Sequence, residues 1–91
     1  MPRPYGNDLY LISAGELIKV GRSCNTARRL LEIQRSMPFA DASLLATFPE
    51  QGFLEPFVFK ALSEYQRRGE WLLGCSGARA IEAVAACLSA L

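Results

Sequence analysis

Two short runs near the start of the chain are rich in apolar residues and are separated by a glycine. Residues 8–13 and 16–21 are predicted to be β-strands, in which successive side chains point to opposite faces. Ala14-Gly15 between them predicts a tight turn, because glycine readily adopts the positive φ that hairpin turns require. The pattern therefore predicts an antiparallel β-hairpin.

The predicted turn also fixes which residues face each other across the hairpin. With Ala14-Gly15 at the turn, Tyr10 lies directly opposite Lys19, and directly opposed Cβ atoms are about 5 Å apart. Side chains alternate between the two faces of a strand, so Tyr10 and Lys19 share one face. The other face, which we assign to the core, carries Leu9, Leu11, Ile18 and Val20.

The residues that follow the hairpin change to the period of a helix. Asn25 or Thr26 can cap a helix that ends near Ser36, because Pro38 cannot continue it. Arg29 lies beside the buried stripe of this helix, so we expect its guanidinium to reach a cleft next to the sheet. The predicted stripe consists of Leu30, Ile33 and Met37.

Four further segments complete the predicted elements. A third strand is expected over residues 42–48, and the intervening helix makes it a partner by crossover. A second helix is expected over about 52–66, and residues 69–74 form a short extended piece. A third helix, capped by Ser76, covers 77–91. The predicted apolar faces of these two helices are Leu54, Phe57, Val58, Ala61, Leu62 and Tyr65, and then Ile81, Val84, Leu88 and Leu91.

This order of elements predicts an α/β (α+β) fold, with a small three-stranded, mainly antiparallel sheet flanked by three helices. A chain of 91 residues suits one domain. We divide it into an N-terminal arm (1–7), a core that carries the motifs (8–74) and a C-terminal helix (75–91).

Composition and cysteine usage indicate the cellular compartment of the protein. Hydrophobic residues make up 51% of the chain, yet no apolar run approaches the roughly 18 residues of a membrane span. The first residues lack the apolar stretch of a signal peptide. Cys24, Cys75 and Cys87 form no Cys-x-x-Cys pair, which fits a reducing compartment. We therefore expect a cytoplasmic protein with no membrane partner.

The absence of histidine removes several kinds of chemistry. The sequence contains no histidine, so Ser-His-Asp and Cys-His hydrolysis are excluded, as are zinc sites that need imidazole. Any acid–base catalysis has to use Glu, Asp, Tyr, Lys or Cys.

Charge is concentrated in one window although the net charge is only +1. A local basic patch on a nearly neutral protein suggests a phosphate-bearing partner at one place, while a solvated helix face is the alternative. The cations of this window are Lys19, Arg22, Arg28, Arg29 and Arg35, with Glu32 as its single acid.

The order hairpin, helix, strand, helix resembles the GIY-YIG nuclease superfamily. Asp8-Leu9-Tyr10 looks like the Gly-Ile-Tyr element, and Lys19-Val20-Gly21 looks like the Tyr-Ile-Gly element. Arg29 follows on the next helix, where the superfamily places its catalytic arginine. The chain looks closest to the small phage-type and meiotically up-regulated branch, often described as a DNA-binding domain. Further matches to that branch are Ile18-Lys19-Val20-Gly21, Arg29-Leu30, Ile33-Gln34, Glu55 and Gly69-Glu70-Trp71-Leu72.

The resemblance implies a metal-dependent DNA endonuclease that hydrolyses phosphodiester bonds. By this likeness Tyr10 orients or deprotonates the attacking water, Arg29 clamps the scissile phosphate, and Glu55 holds Mg²⁺ (or Mn²⁺). Lys19, Arg22 and Arg28 would contact the DNA backbone. Gly21 and Trp71 would have structural roles.

Two alternatives remain open from the sequence. Lys19 stands where the signature has its second tyrosine, Ile33 is apolar where the repair nucleases place a further tyrosine, and Phe59 replaces a histidine common in the small branch. One alternative is a non-catalytic DNA-binding module that retains the basic cleft. The other is a degenerate structural or interaction domain, since a fold likeness alone does not determine function.

Overall fold

A four-stranded antiparallel sheet forms the centre of the protein, where the sequence predicts three strands. The computed structural model describes residues 7–36 and 41–91. The strands are β1 (Asp8–Ala14), β2 (Leu17–Ser23), β3 (Ala42–Phe48) and β4 (Trp71–Leu73), and the helices are α1 (Thr26–Ser36), α2 (Glu55–Ala61) and α3 (Gly77–Ser89). Their order in the sheet is β3-β1-β2-β4, so the α+β class and the crossover to β3 are confirmed.

The fourth strand is the element that the sequence pattern misses. β4 has three residues and pairs with Leu17–Lys19 of β2, and its Leu72 also forms an isolated bridge with Gln66. A tight turn leads into it, in which the Arg67 N–H donates to the Trp71 carbonyl over 3.1 Å. A run of three residues is too short to show a period of two, so the prediction of an extended piece without a sheet partner was incomplete.

The register of the hairpin differs from the predicted one by two residues. Tyr10 lies opposite Gly21, and Lys19 lies opposite Ile12, so the predicted Tyr10–Lys19 pairing was wrong. The reason is the turn, which consists of Gly15 and Glu16, with Gly15 at a φ of 62°. A shift of two residues leaves every side chain on its predicted face, because the side-chain period of a strand is two.

One face of the sheet packs against α2 and α3 and forms the larger core. All four hairpin residues assigned to this face are buried, which confirms the prediction. Buried residues from the helices and from β4 complete the cluster. Its buried members are Leu9, Leu11, Ile18, Val20, Leu54, Val58, Leu62, Leu72, Cys75, Ala80, Ala83 and Val84.

The opposite face is covered by α1 and is buried as well. Tyr10 and Ile12 pack there against Ile33, with Leu30 partly buried beside them. Lys19 lies on this face too and is 6% exposed. The face on which the sequence places its polar pair is therefore a second, smaller core.

The caps of α1 and α3 are the predicted ones. The Asn25 side chain accepts from the Arg28 N–H over 3.0 Å, and the Ser76 hydroxyl accepts from the Arg79 N–H over 3.0 Å. Met37 of the predicted stripe and residues 1–6 of the predicted arm lie outside the described residues.

The second predicted helix is divided into three helical segments of different kinds. A 3₁₀ turn over Gly52–Leu54 precedes α2, and another over Ser63–Tyr65 follows it. The buried side is a narrow stripe of Leu54, Val58 and Leu62, spaced four residues apart. Phe57 and Ala61 lie beside this stripe in α2 and are exposed, contrary to prediction.

The buried face of α3 is built from smaller residues than expected. Ala80, Ala83 and Val84 face the core, whereas Ile81 and Leu91 are exposed, contrary to prediction. Alanine lets the helix approach the sheet closely, which turns the bulky residues outward. Among the described residues, no helix has the length and apolar character needed to cross a membrane.

Candidate functional site

The Tyr10 ring lies against the backbone of the neighbouring strand. Its partner across the hairpin is Gly21, and a Cβ atom added there would lie 2.3 Å from the Tyr10 Cζ. No real side chain fits at that distance, so glycine is required for the ring to take this position. Tyr10 is 2% exposed as a result.

Arg29 covers the hydroxyl end of that ring. The Arg29 Nε donates to the Tyr10 hydroxyl over 3.4 Å, and its Nη1 contacts Glu32 Oε1 over 3.2 Å. These two hydrogen bonds, of which the one to Tyr10 has the larger effect, raise the pKa of Arg29 above its ordinary value. The guanidinium keeps its charge at every accessible pH, as arginine does in proteins.

Lys19 is held by the loop that precedes β4 and by β4 itself. Its Nζ lies 2.5 Å from Glu70 Oε2 and 5.3 Å from the centroid of the Trp71 ring. Trp71 is the partner of Lys19 in the sheet, which places the indole beside the ammonium. A buried ammonium thus has one carboxylate and one aromatic face as neighbours.

Lys19 and Arg29 line the same cavity between α1 and the sheet. The cavity has a volume of about 290 Å³. Each of its two cations has a glutamate partner, Glu70 for Lys19 and Glu32 for Arg29. The remaining lining residues are Ile33, Ser36 and Trp71. The arrangement can accommodate an anion that displaces a carboxylate.

Glu55 lies at the first turn of α2, beside the edge of β2. β4 pairs with Leu17–Lys19 of β2, and Arg22, further along β2, lies beside Glu55. Burial raises the pKa of Glu55, and the charge of Glu70 raises it further. The charges of Arg22 and Lys19 and the polar backbone at Arg22 act on this pKa in the opposite direction.

Glu55 lines a different cavity from Arg29. This second cavity has a volume of about 460 Å³ and also contacts Glu70, Phe59 and Lys60. The structure therefore brings Tyr10 and Arg29 into direct contact, and it groups Glu55 with Glu70 in the neighbouring space. The Lys19–Glu70 ion pair joins the two groups, because Lys19 lines the first cavity and Glu70 lines the second.

The side chains of Arg22 and Arg28 are exposed. Arg28 is 77% exposed and lies 4.0 Å from Glu32, a separation at which a surface ion pair contributes little. Arg28 lies on α1, whose Arg29 and Glu32 line the first cavity. Arg22 pairs with Leu9 and therefore lies on the α2 side of the sheet, beside Glu55.

The carboxylates present fit one kind of metal binding. Among residues 7–36 and 41–91, no group of three or more His, Cys, Asp or Glu side chains forms a metal cage. Mg²⁺ is usually held by one or two carboxylates together with waters and substrate phosphates. Glu55, with Glu70 in the same cavity, provides donors of this type but no closed protein site.

Two glutamates of the site carried no predicted role. Glu70 appears in the sequence only as part of the Gly-Glu-Trp motif, and Glu32 only as the single acid of the basic window. The signal for Glu70 is its position next to Trp71, but its relation to Lys19 needs the pairing of β4 with β2.

Comparison with known proteins adds no assignment. No protein family, curated protein or solved structure matches this chain.

Proposed function

We propose that this chain binds DNA through its phosphate groups and hydrolyses phosphodiester bonds as a metal-dependent endonuclease of the GIY-YIG type. The observation that carries the proposal is the hydrogen bond from Arg29 to Tyr10 at a cavity that also contains the Lys19 ammonium. A guanidinium and an ammonium at one cavity provide the fixed positive charge that stabilises a phosphate as its negative charge grows.

The roles that we propose for the residues are those that the family resemblance implies. Arg29 binds the scissile phosphate, and Lys19, Arg22 and Arg28 bind neighbouring phosphates. Tyr10 orients the attacking water through its hydroxyl once Arg29 has turned toward the phosphate. Mg²⁺ (or Mn²⁺), when bound at Glu55, supplies Lewis-acid stabilisation of the leaving oxygen.

A non-catalytic DNA-binding module is the second candidate. Glu55 lines a separate cavity from Arg29, and Tyr10 is 2% exposed, which restricts the access of water to its hydroxyl. In this case the same cations bind phosphates and no bond is broken.

Supercoiled, branched and single-stranded DNA, each with Mg²⁺ or Mn²⁺, distinguish these candidates. The endonuclease cuts at least one of these DNA forms. The binding module cuts none but binds with an affinity that falls steeply with salt, because each phosphate contact releases counterions. A chain that neither cuts nor binds DNA leaves only a structural or interaction role.

A further inference from the structure

The two ion pairs at the first cavity differ in how firmly they are held. Glu32 is 48% exposed and reaches Arg29 from the same helix. Exposed pairs of this kind contribute little to stability and separate readily. The Lys19–Glu70 pair joins residues 51 positions apart, and the Lys19 side chain is 8% exposed. An ammonium that is buried to this degree needs an anionic or hydrogen-bonding partner, because its desolvation is costly.

Glu70, unlike Lys19, is not fixed by the packing around it. Its side chain is 53% exposed and belongs to the turn that precedes β4, next to Gly69 at a φ of 59°. Among the described residues, the one hydrogen bond of the Glu70 side chain is the one that it accepts from Lys19. The carboxylate can therefore swing toward solvent without disturbing β4, whereas Lys19 is fixed by the sheet and by Trp71.

We propose that the Glu70 carboxylate occupies an anion-binding position at Lys19 in the free protein and is displaced there by a phosphate group of the ligand. Lys19 and Trp71 form the permanent part of this position, and Arg29 lies across the same cavity. Glu70 acts as an internal competitor that keeps the buried ammonium paired until a phosphate arrives. The inference rests on the proposed phosphate-binding function for its biological ligand, but the anion position itself can be tested without DNA.

The substitution Glu70→Gln tests the proposal, with Glu32→Gln as the matched control. Both remove one negative charge from a glutamate paired with a cation of the same cavity. The first probe is inorganic phosphate, added at constant ionic strength while the Tm is measured. We expect Glu70→Gln to have a lower Tm than the wild type without phosphate, and a larger rise in Tm with phosphate than either the wild type or Glu32→Gln. Glu70→Asp, compared with Glu32→Asp, gives the same test if the glutamine variant does not fold.

The second probe is a short fluorescent DNA duplex, with binding followed by anisotropy. Glu70→Gln should bind it about three- to tenfold more tightly than the wild type, and Glu32→Gln should gain less, since its pair is exposed. The double variant Lys19→Met/Glu70→Gln should lose the added response to phosphate.

The outcomes distinguish the anion-binding position at Lys19 from the proposed function on DNA. A phosphate response in Glu70→Gln no larger than in Glu32→Gln overturns the anion position, whatever the DNA results are. A large phosphate response without DNA binding by any form supports the anion position and contradicts the proposed function.

Discussion

The aromatic ring of Tyr10 lies over Gly21 on the adjacent strand, in the space that any side chain at position 21 would fill. This contact explains why the hairpin combines a tyrosine with a glycine. The ring occupies the space over Gly21, and its hydroxyl accepts a hydrogen bond from Arg29 on the next helix. One cross-strand relationship therefore determines where the guanidinium at the candidate site lies.

The substitution Gly21→Ala should destabilise the protein and displace Tyr10. The added Cβ would lie 2.3 Å from the ring, so the ring or the strand has to shift. Forcing an extra methyl group into a packed region costs about 1–3 kcal/mol, and we expect a loss in the free energy of unfolding at the upper end of that range. Urea denaturation measures this change.

The control for this prediction is Gly77→Ala at the start of α3. The nearest atoms to a Cβ there are the Leu45 methyl groups at 3.1 and 3.2 Å, at the end of a flexible side chain. Alanine also favours a helix over glycine, so the effect should be small. Equal losses in the free energy of unfolding of both variants would contradict the prediction that the Tyr10–Gly21 contact makes alanine costly at position 21.

Arg29→Ala should weaken DNA binding, whereas Arg79→Ala should not. The two arginines are matched, because each has an i,i+3 ion pair with a glutamate of its own helix and similar exposure. They differ in position, since α1 and α3 lie on opposite faces of the sheet. Loss of one phosphate contact also reduces the slope of log affinity against log salt by about 1.

Fluorescence anisotropy at several salt concentrations measures both quantities. If Arg29→Ala and Arg79→Ala weaken binding equally and leave the slope unchanged, the general charge of the protein and not the first cavity determines affinity.

Local patterns in the sequence correctly predicted which side chains share a face of the hairpin, but they did not predict which residues pair across it. Alternation alone assigns Leu11 and Val20 to one face and Tyr10 to the other, and a shift of two residues preserves this. The choice between Ala14-Gly15 and Gly15-Glu16 as the turn depends on backbone geometry that the residue types do not determine. The Tyr10–Gly21 contact was therefore not predictable, although both residues were selected.

Local sequence patterns could not predict the ion-pair partner of Lys19. Glu70 lies 51 residues away along the chain and reaches Lys19 only because the three residues of β4 pair with β2. The contact of Arg29 with Tyr10, in contrast, follows from its predicted place beside the buried stripe of α1. The place of Arg29 beside the sheet was therefore predictable, and a contact that depends on a short, distant strand was not.

The stability of the protein should depend on pH through Glu55. Burial and Glu70 raise the pKa of Glu55 in the folded state, so the folded protein binds this proton more tightly than the unfolded chain. Stability from this source is present below the unfolded pKa and is lost as the pH rises through the folded pKa. The substitution Glu55→Gln removes this pH dependence. The stability of the variant relative to the wild type should therefore increase from pH 4 to pH 7.

Urea denaturation at both pH values measures this difference, and Glu64→Gln, at an exposed position, controls for the loss of a charge. A Glu55→Gln variant that becomes relatively less stable toward pH 7 would indicate a carboxylate stabilised in its charged form, contrary to its surroundings.

Cleavage of DNA by the wild type and by Glu55→Ala, with binding measured in parallel, tests the proposed endonuclease most directly. The account predicts that the wild type cuts DNA in Mg²⁺ or Mn²⁺, and that Glu55→Ala binds at least as tightly but does not cut. Glu55 contributes no positive charge to phosphate binding, so its loss should affect turnover alone. A wild-type protein that cuts no DNA form, or a Glu55→Ala variant that cuts as fast as the wild type, would contradict it.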